Sequence, residues 1–204
     1  MVKKTWRLIF LFLMFTAIGW AQDHRFDVAL SVGPVINKES SGNGTTQTPT
    51  NSGVAVAMGK MRLTDRVSIA AVYGRTKESQ IYFASPDTFR IQGPVSEFGG
   101  ELTYSFIRRK KLEAFALGGV SALVFVPNIT VIDGGPGSLP VGQQTKPAPV
   151  YGVGVDYHLR WRFAVRIMYR GLFYKAPDFK VSNLFTGDYG HMAEPTVGLV
   201  FRFR

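Results

Sequence analysis

The chain has 204 residues, enough for one domain, and its 24 Lys and Arg residues against 14 Asp and Glu give a formal net charge of +10. It contains no cysteine, which excludes a disulfide framework and cysteine-based metal or thiolate chemistry. The basic residues are spread along the sequence rather than gathered in one stripe, so we expect no nucleic acid as a partner.

The first 21 residues have the pattern of a signal peptide. An apolar run at residues 8–18 is shorter than the ~20 residues that a membrane-spanning helix needs. Small residues at the cleavage spacing follow it, and the basic residues that precede it are Lys3, Lys4 and Arg7. We predict cleavage after Ala21, which divides the chain into a signal peptide, 1–21, and one exported domain, 22–204. An uncleaved anchor is the alternative.

From Phe26 onward, bulky apolar residues alternate with small or polar ones in segments of about ten residues. This period of two predicts strands that face lipid and lumen by turns. Eight such segments occur, and the bulky side chains that we assign to the lipid face are, in chain order, Phe26, Val28, Leu30 and Val32, then Val54, Val56 and Met58, then Val67, Ile69, Ala71 and Tyr73, then Phe98, Leu102, Tyr104 and Phe106, then Phe115, Leu117, Leu123 and Phe125, then Tyr151, Val153, Val155, Tyr157 and Leu159, then Phe163, Val165, Ile167 and Tyr169, and finally Val197, Leu199, Phe201 and Phe203.

The connections between these segments alternate in length. Those near residues 64, 109 and 161 are tight, whereas the long ones, rich in Gly, Pro, Ser, Thr and Asn, are residues 37–52, 77–94, 127–149 and 175–192. Within the second long connection, residues 80–91 predict a hairpin that projects beyond the bilayer. Short turns at one end and long loops at the other are typical of outer-membrane barrels. The sequence therefore predicts an all-β fold, an eight-stranded antiparallel up-and-down transmembrane β-barrel.

Side-chain size and charge indicate which face of the strands meets lipid. One face is bulky and apolar, and the other is mostly Gly, Ala, Ser and Thr with a few ionised groups. An eight-stranded barrel has room inside only for side chains, and a lipid-facing Lys or Arg at the bilayer midplane costs ~2–4 kcal/mol. We therefore predict a charge network in the lumen, made of Glu97, Glu101, Asp156, Arg166, Arg170, Glu194 and Arg202.

Hairpin geometry predicts two pairs within this network. Across the tight turn near residue 161, the register places Asp156 opposite Arg166. A register of the last hairpin sets Arg170 near Glu194, but the long loop leaves that register free by a step or two. Aromatic residues near strand ends favour membrane interfaces, and those in such positions are Tyr73, Tyr104, Tyr151, Tyr157, Trp161 and Tyr169.

The tight turns are basic, since cations there outnumber Asp65. Two interpretations stay open: contact with anionic headgroups of the inner leaflet, and ordinary solvated turns. The cations are Arg62, Arg66, Arg108, Arg109, Lys110, Lys111, Arg160 and Arg162.

The end of the chain carries a motif. Thr196 is followed two positions later by Gly198, and two aromatic residues, Phe201 and Phe203, are spaced by one. This resembles the assembly signal of outer-membrane barrels, although Arg204 follows the aromatic residue that usually ends the chain. With the signal peptide and eight alternating segments, the chain resembles the small eight-stranded outer-membrane barrels typified by the OmpA transmembrane domain and OmpX.

The resemblance implies export through the general secretory pathway to the outer membrane of a Gram-negative bacterium. Outer-membrane lipid would surround the barrel, and the barrel-assembly machinery would bind it during insertion. Members of this group serve as adhesins, complement-evasion proteins, envelope anchors or minor pores, so the fold narrows function only weakly. We expect a non-enzymatic scaffold or surface-interaction protein whose long outer loops carry any ligand. A small gated pore for small solutes is the first alternative.

Some barrels of this size are lipid A-modifying enzymes, which is the second alternative. That chemistry needs a histidine and a serine, with a carboxylate that orients the base. The residues two positions after His158 and His191 are Arg160 and Ala193 rather than serine. Three separated histidines without cysteine give no metal spacing. We therefore predict no catalytic residue, no cofactor and no metal site.

Overall fold

The computed structural model describes residues 26–203, and most of them lie in strands. The predicted signal peptide lies outside the described residues, so its cleavage stays a prediction. In chain order the elements are β1 (Phe26–Asn37), β2 (Ser40–Gly42), β3 (Thr45–Pro49), β4 (Ser52–Arg62), β5 (Val67–Ala84), β6 (Asp87–Arg108), β7 (Leu112–Phe125), β8 (Ile129–Ile132), β9 (Gly135–Pro136), β10 (Gln144–His158), β11 (Phe163–Lys175), a short 3-10 helix (Ser182–Leu184) and β12 (Tyr189–Phe203). Within this range no helix is both long and apolar enough to cross a membrane.

Eight of the strands close into a ring. Each pairs antiparallel with the next in the order β1, β4, β5, β6, β7, β10, β11, β12. The ring closes between β12 and β1, where Phe26 lies opposite Phe203 and Val32 opposite Val197. Closure leaves no row of unpaired backbone groups along the ring. The prediction of an eight-stranded antiparallel up-and-down barrel is confirmed.

The two ends of the barrel differ. The inner end carries the three tight turns, between β4 and β5, β6 and β7, and β10 and β11, together with Phe26 and Phe203. The outer end carries the four long connections. In outer-membrane barrels the short turns are periplasmic and the long connections are extracellular. By this rule the inner end of the barrel faces the periplasm and the outer end faces the cell exterior.

A belt of apolar side chains surrounds the ring. In β1, β5, β6, β10, β11 and β12 the residues assigned to lipid do point outward. Six of them near the middle of the wall are 54–65% exposed: Leu30, Val32, Leu102, Val153, Ile167 and Leu199. A continuous apolar surface of this kind is unfavourable in water and is what the hydrocarbon of a bilayer covers.

Two strands face the other way from the prediction. The bulky residues that the prediction assigned to lipid point into the lumen. The prediction was therefore wrong for Val54, Val56 and Met58 in β4, and for Phe115, Leu117, Leu123 and Phe125 in β7.

Charge explains both reversals. Lys60 has the same parity as Met58, and Glu113 has the same parity as Phe115, so a lipid-facing choice would put an ionised group in the bilayer wall. The lumen also has room for the rings that come with this choice. Gly154 faces Phe115, and a Cβ at Gly154 would overlap that ring.

Beyond the ring, the long connections form a second β structure. The outer halves of β5 and β6 continue as a hairpin, which includes the one predicted at residues 80–91. β3 and β2 extend it on one side, and β8 and β9 extend it on the other. We call this arrangement, β2-β3-β5-β6-β8-β9, the outer sheet. Residues 176–188, the connection from β11 to β12, form the cap.

Candidate functional site

Three carboxylates surround one guanidinium in the middle of the lumen. Arg170 of β11 is fully buried. Its Nε donates to Oε1 of Glu101 over 3.0 Å and its Nη1 donates to Oε2 of Glu194 over 2.7 Å. Its Nη2 donates to Glu97. Because Glu97 and Glu101 come from β6 and Glu194 from β12, these four residues, the Arg170 cluster, tie opposite walls together.

Small residues make room for this cluster. A Cβ at Gly74 would stand 2.7 Å from Oε2 of Glu97. The Ser121 hydroxyl donates to Oε1 of Glu97 over 2.6 Å. Oε2 of Glu101 is buried and has no hydrogen-bond partner among the described residues. Three carboxyl groups therefore share one guanidinium, that of Arg170, in this layer.

A second group of ionised residues, the inner cluster, lies toward the inner end. Asp156 and Arg166 face each other across the β10–β11 hairpin. Arg166 binds the carboxylate with two parallel hydrogen bonds, Nε to Oδ1 at 2.7 Å and Nη2 to Oδ2 at 2.8 Å. Its guanidinium carbon also lies 5.0 Å from the centroid of the Phe115 ring. The reversed β7 thus supplies an aromatic face for the buried cation.

Below this pair the inner cluster continues through Lys60. The Lys60 ammonium lies 3.4 Å from Oδ2 of Asp27, 3.7 Å from Oε1 of Glu113 and 3.8 Å from Oδ2 of Asp156. Nη2 of Arg202 donates to Oε2 of Glu113 over 3.3 Å. The lumen is therefore crossed by ionised side chains at two levels.

The structure places all seven predicted lumen residues inside the barrel and divides them. Glu97, Glu101, Arg170 and Glu194 form one cluster, and Asp156, Arg166 and Arg202 belong to the other. Sequence reasoning missed Asp27, Lys60 and Glu113. Asp27 alternates with the outward-facing residues of β1, so its position in the sequence could have predicted that it faces the lumen. Lys60 and Glu113 were passed over because they share a face with bulky apolar residues.

The cap packs on the outer end of the barrel through a small hydrophobic core. Phe179 and Leu184 are buried, and the Phe179 ring packs edge-on against Phe125 and Tyr82 at centroid distances of 6.3 and 6.4 Å. The Tyr82 hydroxyl donates to the Pro177 carbonyl over 2.7 Å. The cap therefore belongs to the packed structure of the outer end.

A carboxylate is buried beneath the cap. Glu78 accepts hydrogen bonds from Nδ2 of Asn37 and Nε2 of Gln80, both at 2.8 Å. It lies beyond the outward-facing Arg75 and just past Lys77 on β5, and so outside the bilayer. Burial raises the pKa of Glu78 to about 7, against the two hydrogen bonds, which lower it.

The two described histidines, His158 and His191, lie at different ends of the barrel. His158 lies in the lumen near the inner end, with Nε2 3.9 Å from Oε2 of Glu113. His191 lies on the outer wall, with Nε2 3.0 Å from the Tyr151 hydroxyl. Within residues 26–203 neither has a hydrogen bond to a serine.

The C-terminal motif lies in β12 beside the closing seam. Gly198 faces inward opposite Ser31. The Phe201 and Phe203 rings pack together at 4.9 Å, and Phe203 also contacts Phe26 at 5.6 Å. The motif residues therefore contribute to closure of the ring, and their recognition during assembly stays a prediction.

No protein-family model matches the chain, and no curated protein matches it. Solved structures do match. Neisserial surface protein A is 15% identical, with a TM-score of 0.56 over 87% of this chain and 97% of that chain. The N-terminal barrel domain of Pseudomonas aeruginosa OprF is 17% identical, with a TM-score of 0.51 over 88% and 98%.

Ail, the attachment invasion locus protein of Yersinia pestis, solved with the heparin analogue sucrose octasulfate, is 10% identical, with a TM-score of 0.50 over 88% of this chain and 99% of that one. These similarities show the fold. The fold and the apolar belt around the ring are those of an outer-membrane β-barrel.

Proposed function

We propose that the protein is a closed, non-enzymatic scaffold of the outer membrane that binds extracellular partners through its outer sheet. The observation that carries this proposal is the construction of the outer end. The long connections are folded into a sheet with its own buried core, and this core lies over the lumen that the two charge clusters cross.

The outward face of the outer sheet has the chemistry of a binding surface. Phe83 and Ile129 are each about half exposed, and Arg90 lies between their strands, directly opposite Ile81 and Val131. Aromatic residues and arginine are the types enriched in protein interfaces. Because this face projects beyond the bilayer, it is available to a partner outside the cell.

Adherence of cells that produce the protein tests this proposal. We expect adherence to immobilised extracellular-matrix proteins or sulfated glycans, and a several-fold loss in the double variant Phe83→Ser/Ile129→Ser. The matched control is Phe185→Ser/Tyr189→Ser, which removes exposed aromatic residues of the outer end outside the outer sheet. Equal behaviour of the two double variants would contradict a role of the sheet.

The pore and the enzyme make different predictions. Steady conductance in planar bilayers that changes in the Arg166→Ala variant would favour a pore over a scaffold. A change in the acylation of lipid A on overexpression, measured by mass spectrometry, would favour an enzyme over a scaffold. We expect silent bilayers and unchanged lipid A, because the lumen is filled and neither histidine is paired with a serine within residues 26–203.

We also propose that Gly198, Phe201 and Phe203 are read as an assembly signal by the barrel-assembly machinery. Phe203→Ser should then reduce insertion in cells more than it reduces refolding of the purified protein. Phe163→Ser is the control, because Phe163 also packs on Phe201, at 5.2 Å, but lies outside the terminal strand. Equal defects in cells would contradict recognition of the motif.

A further inference from the structure

The turn between β10 and β11 carries a side chain that no other described residue covers. Trp161 stands at the tip of this turn and is 94% exposed. Its backbone has a φ of 65°, in the left-handed region that is unfavourable for bulky side chains. A glycine or asparagine would take this conformation with less strain. The turn thus combines a strained backbone with an unburied indole.

Other left-handed residues in the described chain have a local explanation. Asn43 and Asp133 are of types that tolerate this region. Lys180, at a φ of 67°, donates its backbone amide to Oδ1 of Asp178 over 3.3 Å. Phe179 also has a positive φ of 48°, but its ring is buried in the core of the cap. Packing of that ring offsets the strain. The tight turn itself requires a left-handed residue, but the indole of Trp161 has no such packing among the described residues.

Cations surround Trp161 on the same end of the barrel. Arg160 and Arg162 flank it, and the neighbouring turn is joined to it by a 2.8 Å hydrogen bond from the His158 amide to the Lys111 carbonyl. The single acid of the three turns, Asp65, is matched by Arg108 at 3.8 Å. We call the exposed cations of these turns the basic rim: Arg66, Arg108, Arg109, Lys110, Lys111, Arg160 and Arg162.

The basic rim lies where the apolar wall ends. Tyr157, Leu159 and Phe163, which precede and follow the turn, point outward and are about half exposed. The next residues toward the inner end therefore stand at the level of the lipid headgroups rather than in the hydrocarbon. Indole rings favour this level, and arginine binds phosphate with paired hydrogen bonds.

We propose that the basic rim and Trp161 form a binding site for anionic phospholipid headgroups of the inner leaflet. The arginines that flank Trp161 bind lipid phosphates, and the indole lies among the headgroups beside them. The site anchors the inner end of the barrel and fixes its depth in the bilayer. This inference requires the membrane location but is independent of any partner of the outer sheet.

The protein carries a reporter for this site. Beyond the predicted cleavage point Trp161 is the only tryptophan, since the other two are Trp6 and Trp20. The chain from Gln22 onward, which contains every described residue, is refolded into vesicles of phosphatidylcholine alone or with added phosphatidylglycerol. Emission of Trp161 and its quenching by lipids brominated near the headgroup are then measured at low and high salt.

With phosphatidylglycerol we expect a blue shift and a several-fold increase in quenching, both reduced by high salt, which screens exposed charges. The variant Arg160→Gln/Arg162→Gln should lose most of the increase. Lys38→Gln/Lys175→Gln, which removes two exposed cations from the outer end, should retain it. A Trp161 signal that is the same in both vesicles, or equal losses in both double variants, would overturn the proposal in favour of a solvated turn.

Trp161→Gly separates lipid binding from a role in folding. Because glycine relieves the left-handed strain, this variant should be at least as stable as the wild type in uncharged detergent micelles. In vesicles with phosphatidylglycerol the order should reverse, with unfolding at a lower urea concentration than the wild type. Destabilisation of the variant by the same amount in micelles and in vesicles would mean that Trp161 serves the fold alone.

Discussion

Replacement of Arg170 by methionine tests whether the lumen is held together by its charges. Arg170 is fully buried and contacts three carboxylates, so its removal would leave Glu97, Glu101 and Glu194 facing one another. Removal of one partner from a buried ion pair costs about 3–5 kcal/mol. We expect a loss at the upper end of that range, because three acids lose their cation together.

The free energy of unfolding is measured by urea titration of the protein refolded in vesicles, with the gel-mobility difference between folded and boiled barrels as the signal. Arg75→Met is the control, because Arg75 is exposed on the outer wall, and such changes are usually within 0.5 kcal/mol. Conversion of all three glutamates to glutamine in the Arg170→Met background should restore most of the stability. A loss below about 1 kcal/mol for Arg170→Met alone would refute an electrostatic lumen.

Three further predictions concern the cap and the reversed strands. The pKa of Glu78, about 7, lies above its unfolded value, so the folded cap binds the proton more tightly and loses stability as pH rises from about 4.5 to 7, by at most about 3 kcal/mol. Glu78→Gln should therefore slow tryptic cleavage of the cap at pH 8 relative to the wild type and leave it unchanged at pH 5. The same ratio of variant to wild-type cleavage rates at the two pH values would contradict this. Phe179→Ala should cost the cap about 3–5 kcal/mol and speed tryptic cleavage after Lys180, which is already exposed, while the gel mobility of the barrel stays the same; loss of the folded band would mean that cap and barrel unfold together. In β4, a cysteine at Ala57 should react with a lipid-soluble maleimide and one at Met58 should not; the opposite result would restore the predicted orientation of that strand.

The reversed strands show which sequence signal decides orientation. In six strands, bulk and charge agree, so the alternation alone predicts the lipid face. In β4 and β7 the bulky residues share a parity with Lys60 and Glu113, and the ionised group determines the face. A Phe or Val side chain in the lumen only occupies volume there, whereas a charged side chain that faces lipid costs several kcal/mol. Charge parity should therefore be weighed before side-chain size.

Sequence also determined contacts that are local along the chain. A period of two predicts strands, and a tight turn fixes the register of its hairpin, so the pairing of Asp156 with Arg166 follows from the sequence itself. The partners of Arg170 on β6 do not follow, since 69 and 73 residues separate them from it. The outer sheet was largely hidden as well, because β2, β3 and β8 are short and carry no long alternating pattern.

Alternation is a property of the extended backbone and its surroundings, so it can be read one strand at a time. The contents of the lumen and the position of the cap depend instead on where β12 meets β1, which sets the stagger of all the strands around the axis. Ring closure is a global condition that no single segment contains, and for this reason only the tertiary structure decided which charges meet and where the cap packs.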